Sequence, residues 1–397
     1  MSRLLQINVT ANWGSTGRIA EDIGRLAMRD GWESWVAYGR GTPVSESKLI
    51  RVGNDTDMRL HALQSRLFDN HGLASAKATR RFVNTVKEVA PDVVHLHNIH
   101  GYYLNYPILF EYLKEWGGPV IWTLHDCWPF TGHCAYYDFA GCERWRSECH
   151  DCPQLRSYPA SLVRDRSASN FVDKRNAFTG LSDLTFVPVS EWLDGELHKS
   201  FLGGYDSCVI HNGIDTGVFN IRPQKEVSEE GRKVVLGVAS VWDRRKGLEE
   251  FVKLRERLSD EYIIILVGLS QEQIAMLPSG MTGIRRTDSI DQLVGIYNMA
   301  DVFVNPTLED NFPTTNLEAL ACGTPVITYD TGGSPEAVDG KCGVVVPYRD
   351  AIALADSVVE VCTKRPFSQK DCRDRAVRLY NKDEAFKQYI QLSLIHI

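Results

Sequence analysis

The sequence predicts an α/β protein built from two Rossmann-like, doubly wound halves. Three observations predict it. Short apolar runs of strand length alternate with helix-length runs, the alternation restarts after a charged stretch, and 397 residues exceed what one hydrophobic core ordinarily supports. In the first half, strands are expected at Leu4–Val9, Trp35–Tyr38, Val93–His97, Val120–Leu124, Thr185–Pro188 and Cys208–Ile210. Composition turns charged and periodicity lapses over Arg222–Arg232, which sets the boundary between the halves. Strands follow at Val234–Ala239, Ile263–Val267, Val302–Val304, Val326–Thr328 and Val344–Val346. Helices fill the gaps, as at Ile290–Met299, where Asp288 or Ser289 is the N-cap. The domains are therefore drawn at 1–221, with a cysteine-rich loop at 127–152, and at 222–375, with 376–397 a tail expected to pack back on the first half.

Hydrophobic residues make up 43% and charged residues 24%, the proportions of a soluble globular protein. A net charge of −7 argues against general nucleic-acid affinity, so no nucleic-acid partner is expected. There is no run of about 18 apolar residues, and a strand begins close to the start of the sequence. Neither a signal peptide nor a membrane span is expected. In such a chain, cysteines read as reduced thiols or metal ligands before disulfides.

In the stretch from Leu308, LEDNFPTTNLEALACGTPVITYDTGGSPE, the two acids Asp310 and Glu318 flank a loop, Asn311–Thr315, broken by Pro313. A short helix, Asn316–Cys322, a buried strand and a glycine turn at Gly332 and Gly333 follow. A helix starting just after Asp310 points free N–H groups and the positive end of its dipole at whatever that acid faces, which suits a phosphate. Glu318, near the first turn, is placed to accept hydrogen bonds from a diol. Taken alone, such an acid pair is more often a loop cap and a solvated helix residue.

Two loops of the first half add to this. Gly14, Ser15, Thr16 and Gly17 lead from a strand into a helix with apolar Ile19, Ile23 and Leu26, a turn that brings amides close to an anion or that serves packing alone. Val120–Leu124 ends in His125 and Asp126, at the carboxyl edge where parallel sheets bind ligands. In the second half, Arg244, Arg245 and Lys246 stand where a strand runs into a helix, placed either to neutralise a diphosphate or as an ordinary basic helix start.

Together these stretches resemble the retaining GT-B glycosyltransferases of family 4, over most of residues 1–360. The resemblance implies two Rossmann-like domains facing a central cleft. It implies a first acid, Asp310, on sugar hydroxyls, with Asn311, Phe312, Pro313 and Thr314 meeting sugar and phosphates, and Glu318 on the ribose. Asp310 is one methylene shorter than the Glu usual there. The resemblance further implies Gly14 and Gly17 near the donor phosphates and His125 near the reacting carbon, with Asp126 orienting the imidazole or meeting the acceptor. Lys246 matches the family's lysine before a glycine. The family's arginine five residues earlier is Val241 here, so Arg244 or Arg245 would have to compensate.

The function so implied moves a sugar, with retention, from a nucleotide diphosphate sugar carrying UDP or GDP to a glycan or lipid-linked acceptor in cell-surface polysaccharide synthesis. Such an enzyme would be cytoplasmic, with peripheral membrane association at the inner face, and would need no cofactor for catalysis. A nucleotide-sugar epimerase of the same fold and a non-catalytic binding or scaffold protein are the alternatives.

Outside this pattern, five of the ten cysteines fall within 26 residues, in DCWPFTGHCAYYDFAGCERWRSECHDCP. Cys149 and Cys152 form a C-x2-C pair, and Cys134 with Cys142 would complete a tetrahedral structural zinc. Buried thiols and a disulfide are the alternatives. Trp128, Phe130, Tyr136 and Tyr137 of the same loop are expected at the mouth of the site, stacking on an acceptor sugar.

Overall fold

The computed structural model describes residues 1–222 and 231–395, so most of the charged stretch proposed as the boundary lies outside the described residues. The chain forms two compact units. One comprises Met1–His211 and the C-terminal segment from Phe386, the other Asn212–Ala385.

The first unit carries strands β1 (Arg3–Ile7), β2 (Glu33–Tyr38), β3 (Lys48–Arg51), β4 (Val93–Leu96), β5 (Val120–Leu124), β6 (Leu184–Pro188) and β7 (Asp206–Ser207). They form one sheet in the order β3-β2-β1-β4-β5-β6-β7, parallel throughout. β4, β5 and β6 are buried along their whole length, as apolar runs in a sheet covered on both faces must be. The register sets Leu4 against Val93 and Val120 against Leu184. The C-terminal helix Lys382–Ile395 brings Tyr389 within 5.1 Å of the His95 ring, packing its end onto this unit.

The second unit carries β8 (Lys233–Val238), β9 (Tyr262–Val267), β10 (Met281–Ile284), β11 (Val302–Asn305), β12 (Val326–Tyr329) and β13 (Gly343–Val346). Their order is β10-β9-β8-β11-β12-β13, again all parallel. Each sheet therefore reverses its winding once, between β1 and β4 and between β8 and β11. Loops leaving the carboxyl ends of those strands splay apart and leave a crevice.

Three expectations need correction. The strand expected at Cys208–Ile210 ends at Ser207; the amides of Cys208 and Ile210 still reach Phe186 O and Pro188 O at 3.1 and 3.2 Å, without forming strand. The helix expected from Asn316 begins at Thr314. Strands β3 and β10 were not foreseen, because an edge strand half open to solvent carries no apolar run: β3 is Lys-Leu-Ile-Arg and β10 is Met-Thr-Gly-Ile.

Candidate functional site

In the second unit the switch between β8 and β11 brings two loops together. After β8 the chain makes a single 3-10 turn, Arg244–Lys246, capped by Asp243, whose side chain accepts from the Lys246 amide at 3.0 Å. After β11 it runs through Pro306–Pro313 into the helix Thr314–Ala321. Arg245 Nη1 donates to Glu309 O at 2.7 Å, and the Leu308 amide donates to Arg245 O at 2.7 Å. This clasp sets Lys246 Nζ in an ion pair with Asp310 Oδ2. The turn requires Gly247, at φ +78, where a Cβ would stand 2.1 Å from Pro306 O. Arg244 is exposed, as is Val241 at the position where the family has its arginine. Of the three adjacent cations, Lys246 is the one paired with the acid.

The backbone of Asp310 is held from the other side. Its carbonyl accepts from the Gly333 amide at 3.1 Å, and Gly332, at φ +54, leaves no room for a Cβ, which would stand 1.9 Å from that oxygen. Behind it lies a buried polar cluster. Asn316 donates to Ser334 O and Oγ at 3.2 and 3.0 Å and accepts from Asn305 at 2.8 Å, while Ser334 and Thr328 hydroxyls are 2.6 Å apart. Asn316 is thereby turned into the core, and Pro313 has no N–H to give. The helix start consequently has no side-chain cap and presents its dipole with half-exposed Thr314 and Thr315. Asn311, Phe312 and Pro313 are buried; Phe312 packs 5.7 Å from the Tyr380 ring, and its carbonyl accepts from Asn212 at 3.2 Å.

Glu318, half-exposed, follows on the next turn. Its Oε2 accepts from Tyr297 OH at 2.8 Å. Tyr297 is fully buried in the helix Ile290–Met299, and burial, then the charge of Glu318, holds its hydroxyl well above the usual tyrosine range, so it stays a donor. Sequence reasoning missed Tyr297; its apolar spacing in an amphipathic helix marks it only as core.

In the first unit, His125 follows β5 and closes a chain of side chains. Gln6 Nε2 donates to Ala20 O at 2.7 Å, which leaves Gln6 Oε1 to accept from His97 Nε2 at 3.1 Å. His97 Nδ1 must then accept, from His125 Nε2 at 3.1 Å. His125 is thus held with its proton on Nε2 and with Nδ1 as its accepting nitrogen. Burial lowers His125 to about 4, the nearby Asp126 opposing it, so the ring is neutral at neutral pH. Asp126 does not orient His125 by a hydrogen bond. Its Oδ2 meets His100 Nε2 at 2.8 Å, and Oδ1 accepts from the Trp128 amide at 3.0 Å. Gly14, at φ +68, opens the first helix with nothing near its missing Cβ, whereas a Cβ on Gly17 would meet Thr10 Oγ1 at 2.7 Å. Gly14 thus answers a conformational demand, Gly17 a packing one.

The cysteine-rich loop departs from expectation in its aromatic residues. Trp128, Phe130 and Tyr137 are 1%, 0% and 4% exposed, Phe130 and Tyr137 packed against Trp145 and Trp128 against Tyr106 and Phe178, so they are not free to stack on a sugar. Tyr136 is half-exposed. Cys134, Cys142, Cys149 and Cys152 are free thiols lining one small cavity with His133. Among the described residues no group of three or more His, Cys, Asp or Glu side chains is set to hold a metal ion as it stands.

Comparison with known proteins gives the family. The family model for Glycosyltransferase Family 4 matches residues 16–218, and that for Glycosyl transferases group 1 matches residues 232–364. A chain of Escherichia coli K12 named as a colanic acid biosynthesis glycosyl transferase, WcaC, is 26% identical over 415 residues, covering 98% of each chain. The D-inositol 3-phosphate glycosyltransferase of Corynebacterium jeikeium is 31% identical over 191 residues, 40% of this chain and 45% of its own. Among solved structures, sucrose-phosphate synthase of Thermosynechococcus elongatus superposes with a TM-score of 0.70 at 17% identity, over 99% of this chain and 98% of its own. Anabaena HepE in complex with UDP-glucose gives 0.66 at 14%, over 99% of both.

Proposed function

The chain belongs to glycosyltransferase family 4 and has the GT-B fold, and from that premise we propose that it transfers a sugar, with retention, from a UDP- or GDP-sugar to a glycan or lipid-linked saccharide in cell-surface polysaccharide synthesis. One observation carries the donor reading. Lys246 and Asp310 are paired beside an uncapped helix start, with Glu318 fixed by Tyr297 one turn on. A diphosphate would take Lys246 and the first-turn amides, which stabilise the charge that develops as it departs. Asp310, released from its lysine, would accept from sugar hydroxyls, and Glu318 from the ribose diol. The E. coli relative named for colanic acid synthesis supports the polysaccharide setting, and the HepE complexes with UDP and with UDP-glucose support the donor class.

Within the first unit we assign His125 to a sugar or acceptor hydroxyl, which its accepting nitrogen would hold. Lys246 and the helix start already bring positive potential to the diphosphate, so turnover is proposed to need no divalent cation there. Among the described residues no helix is long and apolar enough to cross a membrane. A lipid-linked acceptor would accordingly be met at the inner face of the membrane by a peripherally associated cytoplasmic enzyme. The test is nucleotide release from a panel of UDP- and GDP-sugars, with and without saccharide acceptors, for the native chain and for Asp310→Asn and Glu318→Gln. Acceptor-dependent release lost in both variants is expected. Equal rates in native and variant chains would overturn the assignment; sugar interconversion without acceptor would make the protein an epimerase, and no turnover of any donor a binding protein.

A further inference from the structure

The proposed function makes no use of the cysteine-rich stretch Cys127–Cys152 between β5 and the helix Ser167–Phe178. We propose that this loop holds one structural zinc ion, on four of His133, Cys134, Cys142, Cys149 and Cys152, which line its cavity together with an exposed sixth donor, His150, whose Nδ1 already meets Asp151 at 3.1 Å. The cavity measures about 10 Å³, room for a single water-sized particle.

The chemistry of the lining points to a metal. His133 is 2% exposed; its Nδ1 meets Asp69 Oδ1 at 2.5 Å, and its Nε2 is buried with no hydrogen-bond partner. A carboxylate on one ring nitrogen with the other left bare is how metal-binding histidines are oriented. An orphaned acceptor nitrogen would otherwise cost the full desolvation of that atom. The Gly132 amide donates to Cys149 Sγ at 3.2 Å, which fixes that sulfur at the cavity wall. Lys174 is 1% exposed, its Nζ held by the carbonyls of Trp128 and Thr131 at 2.6 and 2.9 Å and lying 3.6 Å over the Trp128 ring, with no carboxylate paired to it among the described residues. An amine buried with only neutral hydrogen-bond partners carries its charge at a cost, and burial lowers Lys174 to about 7. Zinc on three thiolates and an imidazole carries a net charge of −1, and on four thiolates −2; either would offset it. Each binding thiol gives its proton to solvent.

The experiment is metal analysis of the full chain prepared under reducing, zinc-replete conditions, followed by replacement with cobalt(II). We expect about one equivalent of zinc per chain, with a near-ultraviolet thiolate-to-cobalt band whose intensity counts three or four sulfurs. Cys208→Ser, outside the cavity lining, should retain the metal, and the double variant Cys149→Ser, Cys152→Ser should lose it. If the double variant does not fold, cobalt titration of the metal-free native chain decides. The proposal is overturned if the native chain binds neither zinc nor cobalt, if the double variant keeps its full equivalent, or if thiol titration shows these cysteines as a disulfide.

Discussion

Replacing Tyr297 by Phe removes one oxygen from a fully buried ring and nothing else. That oxygen donates to Glu318 at 2.8 Å, so the variant isolates the value of holding the second acid in place. Glu318 is half-exposed, and water takes over part of the lost bond. The stability cost should therefore be about 1 kcal/mol, at the neutral end of the range for a hydrogen bond. If the unit Asn212–Ala385 melts by itself, that is a fall in its melting temperature of about 2–4 °C. The functional cost arises separately. A freed Glu318 must be ordered when the ribose arrives, at about 0.5–1.5 kcal/mol for an immobilised side chain, which is about 2- to 12-fold in affinity. Isothermal titration of the native chain and Tyr297→Phe with whichever of UDP or GDP binds, together with a thermal melt, reads both quantities. A nucleotide affinity unchanged within about twofold, with the expected drop in melting temperature, would refute the reasoning: Glu318 would then not be a donor ligand.

Lys246→Met should lower kcat by about 100- to 1000-fold, the usual loss for one preorganised charge-stabilising group, and combining it with Asp310→Asn should cost less than the sum of the two, which steady-state kinetics of the cycle measure. His97→Phe removes the acceptor that fixes the proton of His125 on Nε2; kcat should fall and its pH profile shift while donor KM holds, and an unaltered profile would remove the tautomer argument. His61 and His95 are each 1% exposed, and burial lowers them to about 4 and about 3. Both are neutral in the folded chain at pH 7, while the unfolded chain takes up protons near pH 6.5. Stability should be complete above that pH and fall progressively as pH drops toward 4, by up to about 1.4 kcal/mol per pH unit for each ring; urea unfolding at a series of pH values checks the slope. Turnover should survive EDTA treatment in samples whose zinc content is shown to be unchanged, and loss restored only by magnesium or manganese would reassign the diphosphate site.

Features local in sequence were legible; those assembled from distant strands were not. Asp310 and Glu318 were legible because eight residues of loop and helix fix their relation. Lys246 was legible because a strand end followed by glycine fixes its turn. Tyr297 reaches Glu318 from a helix 21 residues away, and His97 reaches Gln6 across 91, so no local spacing announces either bond. Asp126 illustrates a wrong neighbour. Adjacency in sequence suggested His125 as its partner, but residues next to each other at a strand end point apart, and the carboxylate found His100 instead. The aromatic residues after β5 misled for a related reason. Large rings are the first to leave water, and of the four only Tyr136 is even half-exposed.

The long loop after β5 bears on how the first sheet assembles. β5 and β6 pair directly, yet the chain between them runs from Leu124 to Leu184, and joining the ends of so long a segment is entropically expensive and slow. Lys174 ties the helix before β6 to carbonyls 46 and 43 residues upstream, just past the end of β5. Once that tie has formed, the remaining search is short: a few residues on either side bring the two strands into register. The insertion then acts as a splint during folding. Chains altered at Lys174 should refold more slowly than their loss of equilibrium stability alone would dictate.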